Sequence, residues 1–373
     1  MLKRLIKLAK NLLAISWVRR AYELVTHWTL EAGALNRLTA TLYAIGGLLT
    51  FNREQYAVLR GRREYYRNLD KARISHVELR RNIHRLEKGM SMRPLRPVFA
   101  KNFIGETLDF YVAAIQLGAA SPACRIDEAE LTWAQNVLAR YFEVVDTSDP
   151  AIAAAQQRFE LEQITYQPAT HDQVPFARKD GVVGGVTCEQ LLTLSEQRRS
   201  VRWFLDKPVP RELIDKALLV GRQAPTACNR LPYEYLVFDD PALVRKVAAV
   251  PVGTAGYRQQ IPTIIVVKGN LDSYFSPRDR HTIYIDAALA AMGFMLALET
   301  LGLASTVVNW PDFEPLELKM SKTLGLAPHE RVIMLIAVGY PDPEGMIPSS
   351  PKKPLNVLRS YNPPLHSAPA TRK

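Results

Sequence analysis

Arg198-Arg199-Ser200-Val201-Arg202, read together with Ala224-Pro225-Thr226-Ala227-Cys228-Asn229, decides how this 373-residue chain is understood. Three guanidiniums and a hydroxyl fall within five residues, at the end of a predicted helix from Cys188 to Arg198. Such a set suits a phosphate ester, because a guanidinium matches phosphate oxygens in a planar fork. The stretch therefore predicts a site for a phosphorylated small molecule.

Working outward, helices and strands alternate. A helix from Glu189 leads into the basic motif, and Pro210 precedes another from Arg211 to Gln223, as proline in a first turn often does. Tyr233 to Phe238, Pro262 to Val267 and Arg331 to Gly339 read as apolar strands. His281 to Leu301 is a long apolar helix. No G-x-G-x-x-G follows a predicted strand, and no G-x-x-x-x-G-K-[ST] occurs, so neither a dinucleotide-binding fold nor a phosphate-binding P-loop has support. The nearest glycine-rich stretch, Gly181-Val182-Val183-Gly184-Gly185, has the wrong spacing. Upstream, residues 1 to about 165 read as helical, with Gly105 to Leu117 and Glu128 to Val145 as core-facing helices. Proline, glycine and polar residues replace that pattern from Tyr166 to Gly185. The expected division is thus a helical basic extension, 1–180, and a second domain, 181–373, whose tail from Pro341 wraps over its surface.

Charge separates the same two parts. Residues 1–100 hold 20 Lys or Arg against 7 Asp or Glu, a balance of +13, whereas residues 101–373 hold 28 against 30. The asymmetry suggests an anionic partner for the extension, a membrane surface or a nucleic acid. No nucleic-acid reader motif accompanies the charge, so that reading is the weaker. Leu2, Leu5, Ile6, Leu12, Leu13 and Ile15 recur beside Lys3, Arg4, Lys7 and Lys10, which describes a basic amphipathic helix from Met1 to Val18. The apolar run is too short for a signal peptide and lacks a cleavage site. Leu38 to Phe51 falls short of the ~20 residues a spanning helix needs. Peripheral contact with an anionic membrane is left open, at the inner face of a cytoplasmic location. Three widely spaced cysteines, Cys124, Cys188 and Cys228, fit a reducing compartment, and no metal motif is present.

Further strings complete a resemblance. Gly302-Leu303 followed by Thr306-Val307-Val308-Asn309-Trp310, the strand Val332 to Gly339 with Tyr340-Pro341, and Lys352-Lys353-Pro354-Leu355 follow the two motifs above. In this order and spacing, residues 187 to 361 resemble the FMN-dependent nitroreductase family. The resemblance implies an α+β fold, a central mixed sheet flanked by helices, working as a homodimer with the apolar helix at its centre. It implies FMN as cofactor, NADH or NADPH as co-substrate, and a small electron-poor acceptor of nitro or quinone type.

By the same resemblance, Arg198 and Ser200 hold the flavin phosphate and ribityl chain, Arg199 lies beside them, and Arg202 approaches the N1 and C2 carbonyl edge. Pro225, Thr226 and Asn229 match a loop that reaches the flavin across the dimer. Val307, Val308 and Asn309 fall near the flavin N5 and O4. Lys352 and Lys353 complete the phosphate pocket. No catalytic residue is assigned. Asn309-Trp310-Pro311 departs from the usual family pattern, which leaves room for other chemistries of the fold: dehalogenation, flavin fragmentation, azoline oxidation, or a membrane-associated flavin protein without turnover. Cys228 has no neighbouring base and is read as filling space, and Trp310 as ring-stacking or core. In the dense stretch Arg80 to Met90, His84 and Glu87 lie one turn apart, the spacing of an acid/base or ligand pair, and a surface ion-pair network around Arg81, Arg85, Glu87 and Lys88 is the plainer reading.

Overall fold

The computed structural model describes residues 15–46, 48–69, 76–120, 127–163, 166, 168 and 170–363. Most of the predicted Met1 to Val18 helix, and Cys124, lie outside the described residues.

Seven α-helices lie in the N-terminal part among the described residues: α1 (Ser16–Ala34), α2 (Arg37–Gly46), α3 (Leu48–Arg67), α4 (Val77–Met90), α5 (Ile104–Ala120), α6 (Glu128–Val144) and α7 (Pro150–Gln163). They fall into three groups. α4 to α7 form a bundle because each contributes a helically spaced apolar stripe: Leu79, Ile83 and Leu86 from α4 meet Leu108 and Tyr111, Leu138 and Tyr141, and Ile152 and Phe159. Asp127 caps α6 by accepting from Ala129 N at 3.0 Å.

α3 instead lies against the C-terminal body. Ala57 packs with Leu271, Tyr274 and Ile283, and a Cβ placed on Gly61 would stand 2.7 Å from Leu271 Cβ, so only glycine permits this approach. Arg62 Nε donates to Phe275 O at 2.9 Å. Arg53 is paired with Asp312 at 3.5 Å, Glu314 at 3.3 Å and the buried Glu317. α1 and α2 pack on each other, and α1 buries none of its residues. Trp17 and Trp28 are 70% and 72% exposed.

In the C-terminal part, β1 (Tyr233–Phe238), β2 (Thr263–Asn270), β3 (Ala304–Asn309) and β4 (Glu330–Gly339) form one sheet in the order β1-β2-β4-β3. Its central strands are buried on both faces, as their unbroken Ile and Val runs require. All three strand pairings are antiparallel. Among the described residues, the expected mixed character appears only as a parallel bridge between Ser200 and Ser305 at the edge. β3 is a strand the sequence reading missed: its buried Ser305 and Thr306 break the apolar run by which the others were found.

Helices α8 (Cys188–Gln197), α9 (Arg211–Gly221), α10 (Pro241–Ala248), α11 (Thr282–Thr300), α12 (Glu314–Leu324) and α13 (Leu355–Leu358) complete the domain. A capping box between Thr187 and Gln190 starts α8. The region from Pro277 to Thr300 is apolar and long enough to cross a membrane, yet half of its apolar window is buried inside the protein. Ala287, Ala290, Ala291 and Phe294 bury that face of α11. A Cβ on Gly221 of α9 would meet Ala290 O at 3.0 Å, so the two helices are as close as their backbones allow.

Candidate functional site

The basic motif begins where α8 stops. Arg198 is the C-cap of α8, in extended conformation, which turns the chain from the helix toward the sheet edge. Val201 N then donates to Ser305 O at 3.1 Å. The motif is thereby pinned to the start of β3, and the same strand carries Val307, Val308 and Asn309.

A cavity of about 610 Å³ is lined by Ser195, Arg198, Arg199, Ser200 and Lys352, with residues 348–351 as its far wall. Arg199 does more than lie beside its neighbour: its Nη2 donates to the carbonyls of Pro348 and Ser349 and ties down that wall. The tail is further held by Asp342 N to Trp203 O at 3.1 Å and Leu205 N to Tyr340 O at 2.9 Å. Arg198 Nε is buried and has no hydrogen-bond partner among the described residues, which is costly unless an acceptor arrives. Burial raises the Glu299 carboxyl above its usual range, opposed by Gln197 and by the charge of Arg198. An anion in this cavity would meet two guanidiniums, an ammonium and serine hydroxyls, with the Glu196 carboxylate also on the lining. Lys353 does not line it and is exposed.

A second cavity, about 360 Å³, is lined by Arg202, Tyr257, residues 251–253 and 307–309. Arg202 Nη1 reaches back to Ser200 O at 3.5 Å, and its guanidinium lies 6.0 Å from the Tyr257 ring centroid. Burial raises the Tyr257 phenol and Arg202 opposes the shift. Ser200, which lines the first cavity, is bridged to Ser305 of β3, the strand whose residues 307–309 line the second, so a cation-rich cavity and a more apolar one are carried by neighbouring stretches of chain. These are the requirements of a long ligand with a phosphate at one end and a ring at the other. Trp310 belongs to the core instead: it is 8% exposed and donates through Nε1 to Glu317 Oε1.

Pro225, Thr226 and Asn229 line neither cavity of their own chain. Their loop stands apart in a strained shape, with Cys228, Asn229 and Leu231 at φ of 55°, 53° and 48°. Its contacts include Ala227 N donating to Asp286 Oδ2 at 3.0 Å, Leu231 N to Thr226 Oγ1 at 3.2 Å, Asn229 N to Thr226 O at 3.0 Å and Arg80 Nε to Asn229 O at 2.9 Å. Burial raises the Asp286 carboxyl, opposed by that Ala227 amide, by Tyr274 and by Arg230. Asp286 and Arg80 were not singled out individually as site residues from sequence. Asp286 had a signal, a carboxylate in the middle of the apolar run from His281 to Leu301, whose other one, Glu299, lies near its end; Arg80 had one in the dense basic stretch of the extension.

In that stretch, His84 Nδ1 lies 3.4 Å from Glu87 Oε2, and Glu87 Oε1 accepts from Trp133 Nε1 at 2.9 Å. Arg81 pairs with Glu78 at 2.8 Å and Arg80 with Glu130 at 2.9 Å, so the network runs to carboxylates outside the group expected.

Residues 196–255 and 258–340 match the profile of the Nitroreductase family, and the C-terminal region carries a domain of that family. Iodotyrosine deiodinase 1 from Pongo abelii is 24% identical over 225 residues, covering 53% of this chain and 75% of that protein. An NADH dehydrogenase from Thermus thermophilus is 29% identical over 184 residues, covering 41% and 87%. A solved structure, a putative nitroreductase in complex with FMN from Desulfovibrio desulfuricans, is 24% identical at a TM-score of 0.41, covering 48% of this chain and 99% of the other.

Proposed function

We propose that residues 181–373 form an FMN-dependent oxidoreductase domain, preceded by a helical extension, that passes hydride from NADH or NADPH to an electron-poor small molecule. The observation that carries this reading is the buried Nε of Arg198, without a hydrogen-bond partner among the described residues, in a cavity shared with Ser200 and Lys352. FMN, when bound, supplies the two-electron chemistry that no side chain here provides. Arg198, Ser200 and Lys352 would hold its phosphate, with Arg199 fixing the wall that brings Lys352 into place. Arg202 would set a positive charge beside the ring edge where negative charge gathers on reduction. The 225–229 loop would complete the site of a second copy, which supports a homodimer. The exposed apolar stripe Ile285, Leu289 and Met292 on α11 gives that second copy a surface. An absorbance spectrum of the purified protein, then anaerobic addition of NADH or NADPH, tests the reading: a colourless protein, or a yellow one that neither nucleotide bleaches, overturns it.

A second reading, reductive dehalogenation, is favoured by the similarity to iodotyrosine deiodinase 1. It would replace an aryl carbon–halogen bond by carbon–hydrogen, consuming two electrons and a proton and releasing halide. Turnover of an iodophenol against a nitroaromatic and a quinone separates the two.

We also infer that the extension meets an anionic bilayer at the cytoplasmic face. Trp17, Ala21, Leu24 and Trp28 share one face of α1, and Leu38, Leu42 and Ile45 of α2 add exposed apolar surface. Interfacial tryptophans beside a region of charge +13 fit a lipid surface of opposite sign.

A further inference from the structure

Arg81, His84, Arg85 and Lys88 recur at steps of three and four, so they share one face of α4 opposite the buried Leu79, Ile83 and Leu86. That basic face starts where the helix docks on the strained loop. α4 packs against the turn Ala227–Asn229, and Arg80 grips the Asn229 carbonyl.

The cations on this face are not equally satisfied. Arg81 is bound by Glu78, and His84 faces Glu87. Among the described residues, Arg85 donates only to the neutral Asn82 Oδ1, at 3.1 Å, and its guanidinium stacks 3.6 Å above the Phe103 ring centroid. No carboxylate lies within ion-pair distance of Arg85 among the described residues. Burial lowers its pKa and the charge of Arg81 lowers it further, while Glu78, Cys228 and Glu106 act in the opposite sense. A guanidinium fixed by ring stacking, crowded by a like charge and left with free N–H donors is arranged for an external anion.

We propose that Arg85, flanked by Arg81 and His84, binds the carboxylate or phosphate of a molecule reacting at the flavin beside the 225–229 loop. The proposal rests on the flavin reading of that loop. The anion belongs either to the electron acceptor or to the nicotinamide nucleotide, since both present such groups to a cationic face.

The experiment uses the full chain with Arg85→Met, which keeps the bulk over Phe103 and removes the charge, and Arg85→Lys, which restores charge without the fork. The acceptors are 4-nitrobenzoate and the neutral 4-nitrobenzamide. The ratio of their KM values is expected to rise about tenfold in Arg85→Met, with partial recovery in Arg85→Lys and flavin content unchanged. A rise confined to the KM of NADH or NADPH supports the same site and assigns the anion to the nucleotide. Unchanged KM values for all of them overturn the proposal. Calorimetric titration of 4-nitrobenzoate and of inorganic phosphate into wild type and Arg85→Met gives a readout independent of turnover. A colourless protein would remove the flavin reading alone, and the titration would still decide: binding lost in the variant supports the anion site, while equal binding or none in wild type overturns it.

Discussion

Arg80 and Asn229 are joined across 149 residues of sequence by a 2.9 Å hydrogen bond from the guanidinium Nε to the backbone carbonyl. The bond ties the helical extension to the strained loop of the flavin-type domain, so the two parts are not independent. The extension adds to the hold that Asp286 and Thr226 already give this loop, whose positive φ values are unfavourable for Cys228 and Leu231.

Charge reversal in the first cavity is expected to abolish flavin retention. Arg198→Glu would set a carboxylate against a phosphate in a partly desolvated pocket. The variant should purify colourless with a melting temperature close to that of the wild type. A yellow variant with full flavin content would remove Arg198 from the site.

The paired Lys268 and Glu330 predict an acid limb of stability. Burial pushes the Glu330 carboxyl up, but Lys268 and the Ala327 amide outweigh it and hold the group below its usual range. A depressed folded pKa means stability that is fully present above the unfolded value, near 4.3, and lost as pH falls through the folded one. Glu330→Gln should cost about 1–3 kcal/mol at neutral pH and flatten the dependence below about pH 4.5. Parallel melting curves from pH 3 to 7 in variant and wild type would count against this.

Gly61 admits no side chain. With Leu271 Cβ 2.7 Å from the added atom and the Leu271 backbone carbon at 2.8 Å, Gly61→Ala should lower stability by about 1–3 kcal/mol and loosen α3 first. Hydrogen exchange should rise in Leu48–Arg67 while the α4 to α7 bundle keeps its protection. Uniform change across both would show that α3 is not a separable layer.

Assembly is expected to depend on α11. Leu289→Arg places a charge on its exposed apolar stripe and should convert a dimer to a monomer that no longer retains flavin, because each loop would lose its partner site. Light scattering of a flavin-loaded wild-type monomer at micromolar concentration would end that expectation.

Liposome sedimentation tests the hairpin of α1 and α2. Wild type should pellet with anionic vesicles and be released by salt, and Trp17→Ser with Trp28→Ser should reduce the pelleted fraction severalfold without altering flavin content. Equal recovery with neutral and anionic vesicles at low salt would remove the bilayer as partner.

Strands β1, β2 and β4 and helix α11 were legible because each is a long apolar run whose period or length admits few alternatives. β3 was not, since Ser305 and Thr306 are polar residues buried at a sheet edge. The first cavity was legible as a motif, but the use of Arg199 to hold the tail was not, because carbonyl acceptors leave no mark in sequence. The anchoring of the 225–229 loop was hidden for a related reason: its partners Arg80 and Asp286 come from distant segments that local pattern cannot connect. The helical character of the extension was plain, whereas its division into a bundle, a layer and an exposed hairpin depends on which surface each stripe meets.

The wall tied down by Arg199 has a consequence for the order in which the protein becomes competent. Residues 198–200 leave the ribosome well before residues 348–352, and the anion cavity does not exist until both have met. The central strand β4 must also have taken its place between β2 and β3, because the tail continues from its end. A phosphorylated ligand bound there would therefore meet its cavity only after residues 348–352 have joined residues 198–200, as expected where the closing contacts are far apart in sequence.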